Sequence, residues 1–294
     1  MIGITLEDIS KIYGRKKALI NVDLSLEKPG VYSVLGPNGS GKSTMLKIIA
    51  GLVNQSGGSV KRFYNGKRIF IQEFLMYSGV VLGSPIFRPS LTGRDLLELA
   101  SKMKNIKDVQ KEIERVAGLM LINEFIGEEM RNYSSGMLQR TLLASALVGD
   151  PEILILDEPT SGLDAKSRII VQELIQSISE SQNKVVIFST HDVWEADLLS
   201  NYYVFIENGR LVSNLVENSK KDHIFCILTN SNKYQDDTGD KYETPLLQYH
   251  IVGQEEWTNF KKDHDGEILE YHKCSKFMAE YAAQLEQKKA NPLQ

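Results

Sequence analysis

The stretch "GPNGSGKST", Gly36–Thr44, decides the fold. It fits the pattern G-x-x-x-x-G-K-[ST] and sits where that pattern has physical meaning. Before it, "VYSVLG" from Val31 is an apolar run of strand length; after it, "KSTMLKIIAGL" has the spacing of a helix. A strand, a glycine-rich turn and a helix in that order make a loop whose backbone N–H groups can turn inward around an anion. Gly36, Gly39 and Gly41 permit the close approach, and Pro37, Asn38, Ser40 and Thr44 complete the candidate cradle. Lys42 is the candidate point charge for the β- and γ-phosphates, and the Ser43 hydroxyl is a candidate ligand for Mg²⁺.

Downstream, "EILILDEP" and "KVVIFST" are further short apolar runs, alternating with helical segments. That alternation predicts an α/β fold with a parallel sheet covered on both faces. "YYVFIENGRLVSN" places Asn208-Gly209 between two strand-like runs, a hairpin signal. The run "EILILDEP" ends in adjacent carboxylates, Asp157 and Glu158. Two carboxylates at the end of an apolar strand are costly unless a cation or a reacting group meets them. Asp157 suits Mg²⁺, and Glu158 is the candidate base for a water attacking the γ-phosphate. The run "KVVIFST" ends at "STHD", where His191 could bond the γ-phosphate or hold that water.

Composition narrows the partners. With 294 residues and 42% hydrophobic content, the chain can build a large core. A net charge of −4 offers no basic field for nucleic acid. Cys226 and Cys274 are too few and too far apart for a disulfide framework, which fits a reducing compartment. "MIGITLEDIS" lacks the features of a signal peptide, and the longest apolar runs are strand-sized, far short of the roughly twenty residues of a spanning helix.

Between the phosphate loop and the carboxylates, the stretch from about Thr92 to Gly149 has a different character. Thr92 and Asp95 stand in capping-box spacing, and Val109, Ile113, Val116 and Met120 recur at helical intervals. It reads as a helical subdomain inserted into the α/β core. Within it, "RNYSSGMLQR", Arg131–Arg140, sets small hydroxyls and a glycine before "MLQRTLLASALV", so a second helix start offers bare amides to a phosphate. After about Leu215 the glycines thin out and the histidines gather; "HIFCILTN" and "LLQYHIV" read as strands, and Phe277, Tyr281 and Leu285 mark one face of a final helix. The expected organisation is a first domain over 1–215 and a small α+β accessory domain over 216–294. His250, His264, His272 and Cys274 fall in the latter, at a spacing that matches no zinc pattern.

"GPNGSGKST", "YSSGM", "ILILDEP", "SGLD" and "STHD" occur in the order found in ATP-binding cassette (ABC) ATPases, and the chain resembles that family from about Ile4 to Ser213. "YSSGM" corresponds to the family's signature, usually LSGGQ; Ser135 stands where glycine is common and Met137 where glutamine is usual. The resemblance implies a P-loop NTPase core and ATP hydrolysis with Mg²⁺. It also implies head-to-tail pairing with a second ABC ATPase subunit, so that Ser134, Ser135 and Gly136 of one cassette face the γ-phosphate held by the other. It further implies that Tyr13 stacks on adenine and that Asp164 lies at the seam between the two subunits. The family's Q-loop glutamine falls at Gly83, which has no side chain.

By this likeness the chain is the ATP-hydrolysing subunit of a transporter with separate transmembrane permease subunits, held at the cytoplasmic face of the membrane through them. "SPIFRPSLTGRDLLELA" and "SGLDAKSRIIVQELI" are similar to cassettes of bacterial exporters for drugs, antimicrobial peptides or lipids. The alternative is a soluble ABC ATPase acting on ribosomes or chromosomes. Those usually carry tandem cassettes or long heptad inserts; this chain has one of each motif and a short insert.

Overall fold

The run around Val31 forms a fully buried strand, β3 (Gly30–Leu35), which leads through the phosphate loop into α1 (Lys42–Ile49). The structure, a computed structural model, describes residues 1–83, 90–180, 184–212, 216–217, 223–231, 246–252, 257–263 and 268–275, with 278 and 281. β3 lies at the centre of a seven-stranded sheet. Beside it run β8 (Val185–Thr190), β7 (Ile153–Asp157) and β6 (Ser78–Val81) on one side and β9 (Tyr202–Glu207) on the other, all parallel. β10 (Arg210–Leu211) and β11 (Val216–Glu217) pair antiparallel with β9. The β9–β10 hairpin turns through Asn208 and Gly209, both in the left-handed region (φ 50° and 76°), as an Asn-Gly turn of the primed kind requires.

Each central strand is apolar on both faces because each face has its own cover. Ile153, Ile155, Val185 and Ile187 pack with Met45, Leu46 and Ile49 of α1. Leu154, Leu156, Val186 and Phe188 face the opposite way, onto Leu143 of α5 (Ser135–Leu147) and Val171 and Ile175 of α6 (Ala165–Glu180). Each such side chain contributes about 1.5–3 kcal/mol by leaving water.

The α1 face carries a feature absent from the sequence reading. A second, antiparallel sheet of order β2-β1-β4-β5 supplies Ile4, Leu6, Ile9 and Leu24 to the same core cluster. Its strands are β1 (Ile2–Tyr13), β2 (Lys16–Leu26), β4 (Gly57–Tyr64) and β5 (Lys67–Ile69). Cover of that face is therefore sheet as well as helix.

The inserted segment is helical, with α3 (Gly93–Met103), α4 (Val109–Leu119) and α5; the short α2 (Ile71–Met76) precedes it. Thr92 and Asp95 form a reciprocal capping box, and the hydrogen bonds from Thr92 hold the Asp95 carboxyl below its ordinary range. Ile113, Val116 and Met120 are buried, as their spacing requires.

The chain divides into one unit of Met1–Asp192 with Leu199–Glu217 and another of Val193–Leu198 with residues 218–294. The second contains most of α7 (Val193–Leu199), α8 (Trp257–Asp263) and an antiparallel sheet of order β13-β12-β14. "HIFCILTN" and "LLQYHIV" are strands, β12 (His223–Ser231) and β13 (Leu246–Val252), and β14 (Ile268–Ser275) joins them. His250 lies on β13, His272 and Cys274 lie on β14, and His264 is outside the described residues. Of the final helical face, Tyr281 is helical, while Phe277 and Leu285 are outside the described residues.

Candidate functional site

The loop between β3 and α1 is shaped by what its glycines avoid. At Gly41, φ is 115° and a Cβ would lie 2.6 Å from the Ala18 carbonyl oxygen, so a side chain is excluded on both counts. Gly41 is also the N-cap of α1 and gives no side-chain hydrogen bond to the helix start. The first N–H groups of α1 are thus left for an anion. They border a cavity of about 240 Å³ lined by Asn38, Gly39, Gly41, Lys42, Ser43 and Thr44, by Tyr13, Lys16 and Ala18, and by Glu158. Lys42 is 5% exposed, and its Nζ donates to the carbonyls of Gly36 (2.7 Å) and Pro37 (3.2 Å). Burial lowers its pKa, while the Glu158 and Asp157 carboxylates work against that fall.

Tyr13 and Lys16 are paired across the β1–β2 turn, which puts them together at the cavity rim. The Tyr13 ring is half-exposed, with the Lys11 ammonium 4.9 Å from its centroid. The family resemblance points to Tyr13 and not to Lys16; the signal for Lys16 was the two-residue turn, Gly14-Arg15, that makes the two neighbours.

Asp157 ends β7, and Ser189 stands opposite it in the parallel ladder with β8. Asp157 Oδ1 accepts from Ser43 Oγ (3.0 Å) and Ser189 Oγ (2.5 Å). Glu158 has left-handed backbone, φ 47°, a conformation that costs an L-residue roughly 1–2 kcal/mol. Its N–H donates to Ser189 Oγ (2.9 Å) and to the Ser189 carbonyl (3.2 Å). The turn takes the Glu158 side chain to the cavity wall, 3.5 Å from Nδ1 of His191. The loop, both carboxylates and His191 are therefore brought together. A carboxylate oxygen and a serine hydroxyl within 3.0 Å of each other, beside a phosphate cradle, are hard oxygen donors of the kind Mg²⁺ takes.

Ser134, Ser135, Gly136 and Asp164 are not among the residues lining that cavity. They form a corner of their own. The helix α5 begins at Ser135, earlier than "MLQRTLLASALV" suggests, because Ser134 serves as N-cap and its Oγ accepts from the Met137 N–H (3.2 Å). Ser135 Oγ donates to the Gly162 carbonyl (3.3 Å). Asp164 accepts from the Ser167 N–H (2.9 Å) at the start of α6, and hydrogen bonds from Ser167 hold its carboxyl below the usual range. A Cβ on Gly136 would meet Ser167 Oγ at 2.5 Å and Asp164 Oδ2 at 2.8 Å, so glycine lets α5 approach these side chains as they now stand. Gly83 is exposed with φ 74°, and among the described residues nothing beyond its chain neighbours lies within 4 Å of where a Cβ would be.

Residues 19–161 match the family described as ABC transporter. The bacitracin transport ATP-binding protein BcrA of Bacillus licheniformis is 31% identical, the match covering 71% of this chain and 68% of that protein. The aliphatic sulfonates import ATP-binding protein SsuB of Bacillus cereus is 35% identical over 69% of this chain and 80% of that protein. A solved dimeric ATP-binding cassette in a post-hydrolysis state, bound to ADP and Pi, superposes with a TM-score of 0.64 at 26% identity, over 73% of this chain and 98% of that one. A seven-stranded, largely parallel sheet with an inserted helical segment, a phosphate loop facing two strand-end carboxylates, and these likenesses agree: the chain belongs to the ABC transporter family, as one of its ATP-hydrolysing ATP-binding cassettes.

Proposed function

We propose that the chain energises an exporter by closing around ATP against a second cassette, and that the closure drives separate transmembrane subunits. The observation that carries this is the separation of the two phosphate-seeking surfaces. The loop cavity is lined by one set of residues, and the Ser134–Gly136 helix start belongs to another corner of the same chain. A nucleotide held in the cavity is then covered from the far side by another subunit's Ser134, Ser135 and Gly136. Charge-assisted bonds from both subunits hold the pair while ATP is intact and weaken once phosphate leaves. Among the described residues no helix is long and apolar enough to cross a membrane, which supports a cassette that reaches the cytoplasmic face through its partners.

In this reading Tyr13 stacks on adenine, and the loop N–H groups from Gly36 to Thr44 take the phosphates with Lys42. Ser43 and Asp157 would hold Mg²⁺, whose charge offsets that on the β- and γ-oxygens. Glu158 takes the proton of the water whose oxygen attacks the γ-phosphorus, and the bond to the β–γ bridging oxygen breaks, leaving ADP and phosphate. His191 orients the water or the γ-phosphate, helped by its position beside Glu158. The cargo reading, a peptide antibiotic, drug or lipid carried outward, draws support from the bacitracin transport relative. The sulfonate import relative is the counterweight.

Cysteine pairing tests the arrangement. With Cys226 and Cys274 replaced by Ser, Ser134→Cys and Asn38→Cys are placed in a chain carrying Glu158→Gln. ATP should produce a disulfide-linked dimer, in the presence of the membrane companion if not alone. Linkage that never exceeds the nucleotide-free level would remove the two-subunit site.

We further propose the boundary at 215/216, with residues 216–294 an accessory domain that stabilises or regulates the pair. A chain ending at Leu215 should bind ATP with the affinity of the full chain while its dimerisation changes. Loss of nucleotide binding in that chain would refute the boundary.

A further inference from the structure

We infer that Ser189 is a positioning residue for hydrolysis, tying the carboxylate of Asp157 to the backbone of Glu158 through a single buried hydroxyl. The inference rests on the reading above that Asp157 faces the metal and Glu158 is the base. Ser189 is 0% exposed, and its hydroxyl has one proton to give. That proton goes to Asp157 Oδ1 at 2.5 Å, and an oxygen lone pair accepts the Glu158 N–H at 2.9 Å. The same carboxylate oxygen receives Ser43 Oγ from the phosphate loop, so one chain of bonds runs from the loop through Asp157 and Ser189 to Glu158.

The arrangement does two things at once. It fixes the rotamer of the carboxylate that would hold the metal, as outer-shell hydrogen bonds do at metal sites generally. It also braces the left-handed backbone of Glu158, a conformation disfavoured for any residue with a Cβ. Without the hydroxyl, Glu158 N–H keeps only the longer bond to the Ser189 carbonyl, and Asp157 keeps only Ser43 on that oxygen. The position is set by the fold: Ser189 is the residue of β8 directly opposite Asp157 in a parallel ladder, where paired side chains share a face.

The test uses the full chain with Ser189→Ala and Ser189→Thr. Steady-state ATPase is read beside Mg²⁺ titrations of trinitrophenyl-ATP binding, a readout independent of turnover. Ser189→Ala should lower kcat about 10–100-fold with KM for ATP within about threefold, as expected for loss of an outer-shell partner. Half-saturating Mg²⁺ should rise about fivefold or more, while binding of the analogue without Mg²⁺ stays unchanged. Ser189→Thr, which keeps the hydroxyl, should restore both. If Ser189→Ala does not fold, Ser189→Cys, with a weaker donor of similar volume, should give the same pattern of loss.

A kcat and Mg²⁺ response within about threefold of the parent in the Ala variant, or in the Cys variant where that one is used, would overturn the inference. So would equal losses in the Thr variant, or loss of Mg²⁺-free binding alongside. Glu158→Gln run in parallel separates the two failures. If it abolishes turnover and Ser189→Ala does not matter, only the role of Ser189 is refuted; if Glu158→Gln still turns over, the base assignment itself is gone.

Discussion

Glu158→Gln is expected to lower ATP turnover by about three orders of magnitude while leaving ATP affinity within about threefold, since a positioned general base contributes on the order of 10²–10⁴ in rate. The amide keeps the size of the side chain. It also leaves untouched the backbone bonds from Glu158 N–H to Ser189, so the left-handed turn and the cavity wall persist. What is lost is the carboxylate at the cavity wall: an amide oxygen still accepts a hydrogen bond but cannot take up the proton. A trapped ATP-bound dimer should accumulate, seen as a shift in size-exclusion chromatography with ATP and not with ADP. Phosphate release at the parent rate would eliminate Glu158 as base.

Lys42→Ala should weaken ATP binding about a hundredfold, the scale of losing a charge-assisted bond to phosphate in a partly desolvated site. The lysine donates to the Gly36 and Pro37 carbonyls now and must turn its N–H donors to the nucleotide, so its removal also takes a brace from the resting loop. Lys42→Arg should not rescue, because a planar fork has no room where a compact ammonium is folded into a buried turn. Calorimetry with ATP reads both variants. An affinity within about twofold of the parent for Lys42→Ala would show that the backbone N–H groups alone bind the phosphates.

Most of the parallel sheet and the loop site could be read from the chain. "VYSVL", "ILILD" and "VVIFS" are apolar runs long enough for buried strands and too short for helices, and the loop motif fixes one end of the first. The antiparallel sheet was harder to see because its pattern breaks. In β1 the buried positions are Ile2, Ile4 and Leu6, then Ile9; the parity changes at a register shift where Asp8 has φ 51°. A period-two pattern interrupted in mid-strand loses its signal. β14 was missed for a related reason: "ILEYHKCS" is too polar to separate from a loop without its neighbour β12.

The candidate site divides the same way. Lys42, Ser43, Asp157 and Glu158 belong to contiguous motifs, whereas Ser189 gains its place by standing across a parallel ladder, 32 residues from Asp157. A clue existed: the runs "ILILD" and "VVIFS" have equal length and each ends on a polar residue, so a parallel pairing in register sets Asp157 beside Ser189. Without strand order, that coincidence has no meaning. The corner at Gly136 is likewise invisible in one dimension, since its tightness comes from Ser167 in α6 and Asp164 just before it.

That corner has a bearing on how such a chain can diverge. A Cβ at Gly136 would meet the side-chain tips of Ser167 and Asp164 at 2.5 and 2.8 Å, so a larger residue there forces those tips to move or to be replaced. Descendants that gain a side chain at Gly136 should therefore carry a smaller or re-oriented partner at position 167 or 164, whereas either partner can shrink alone.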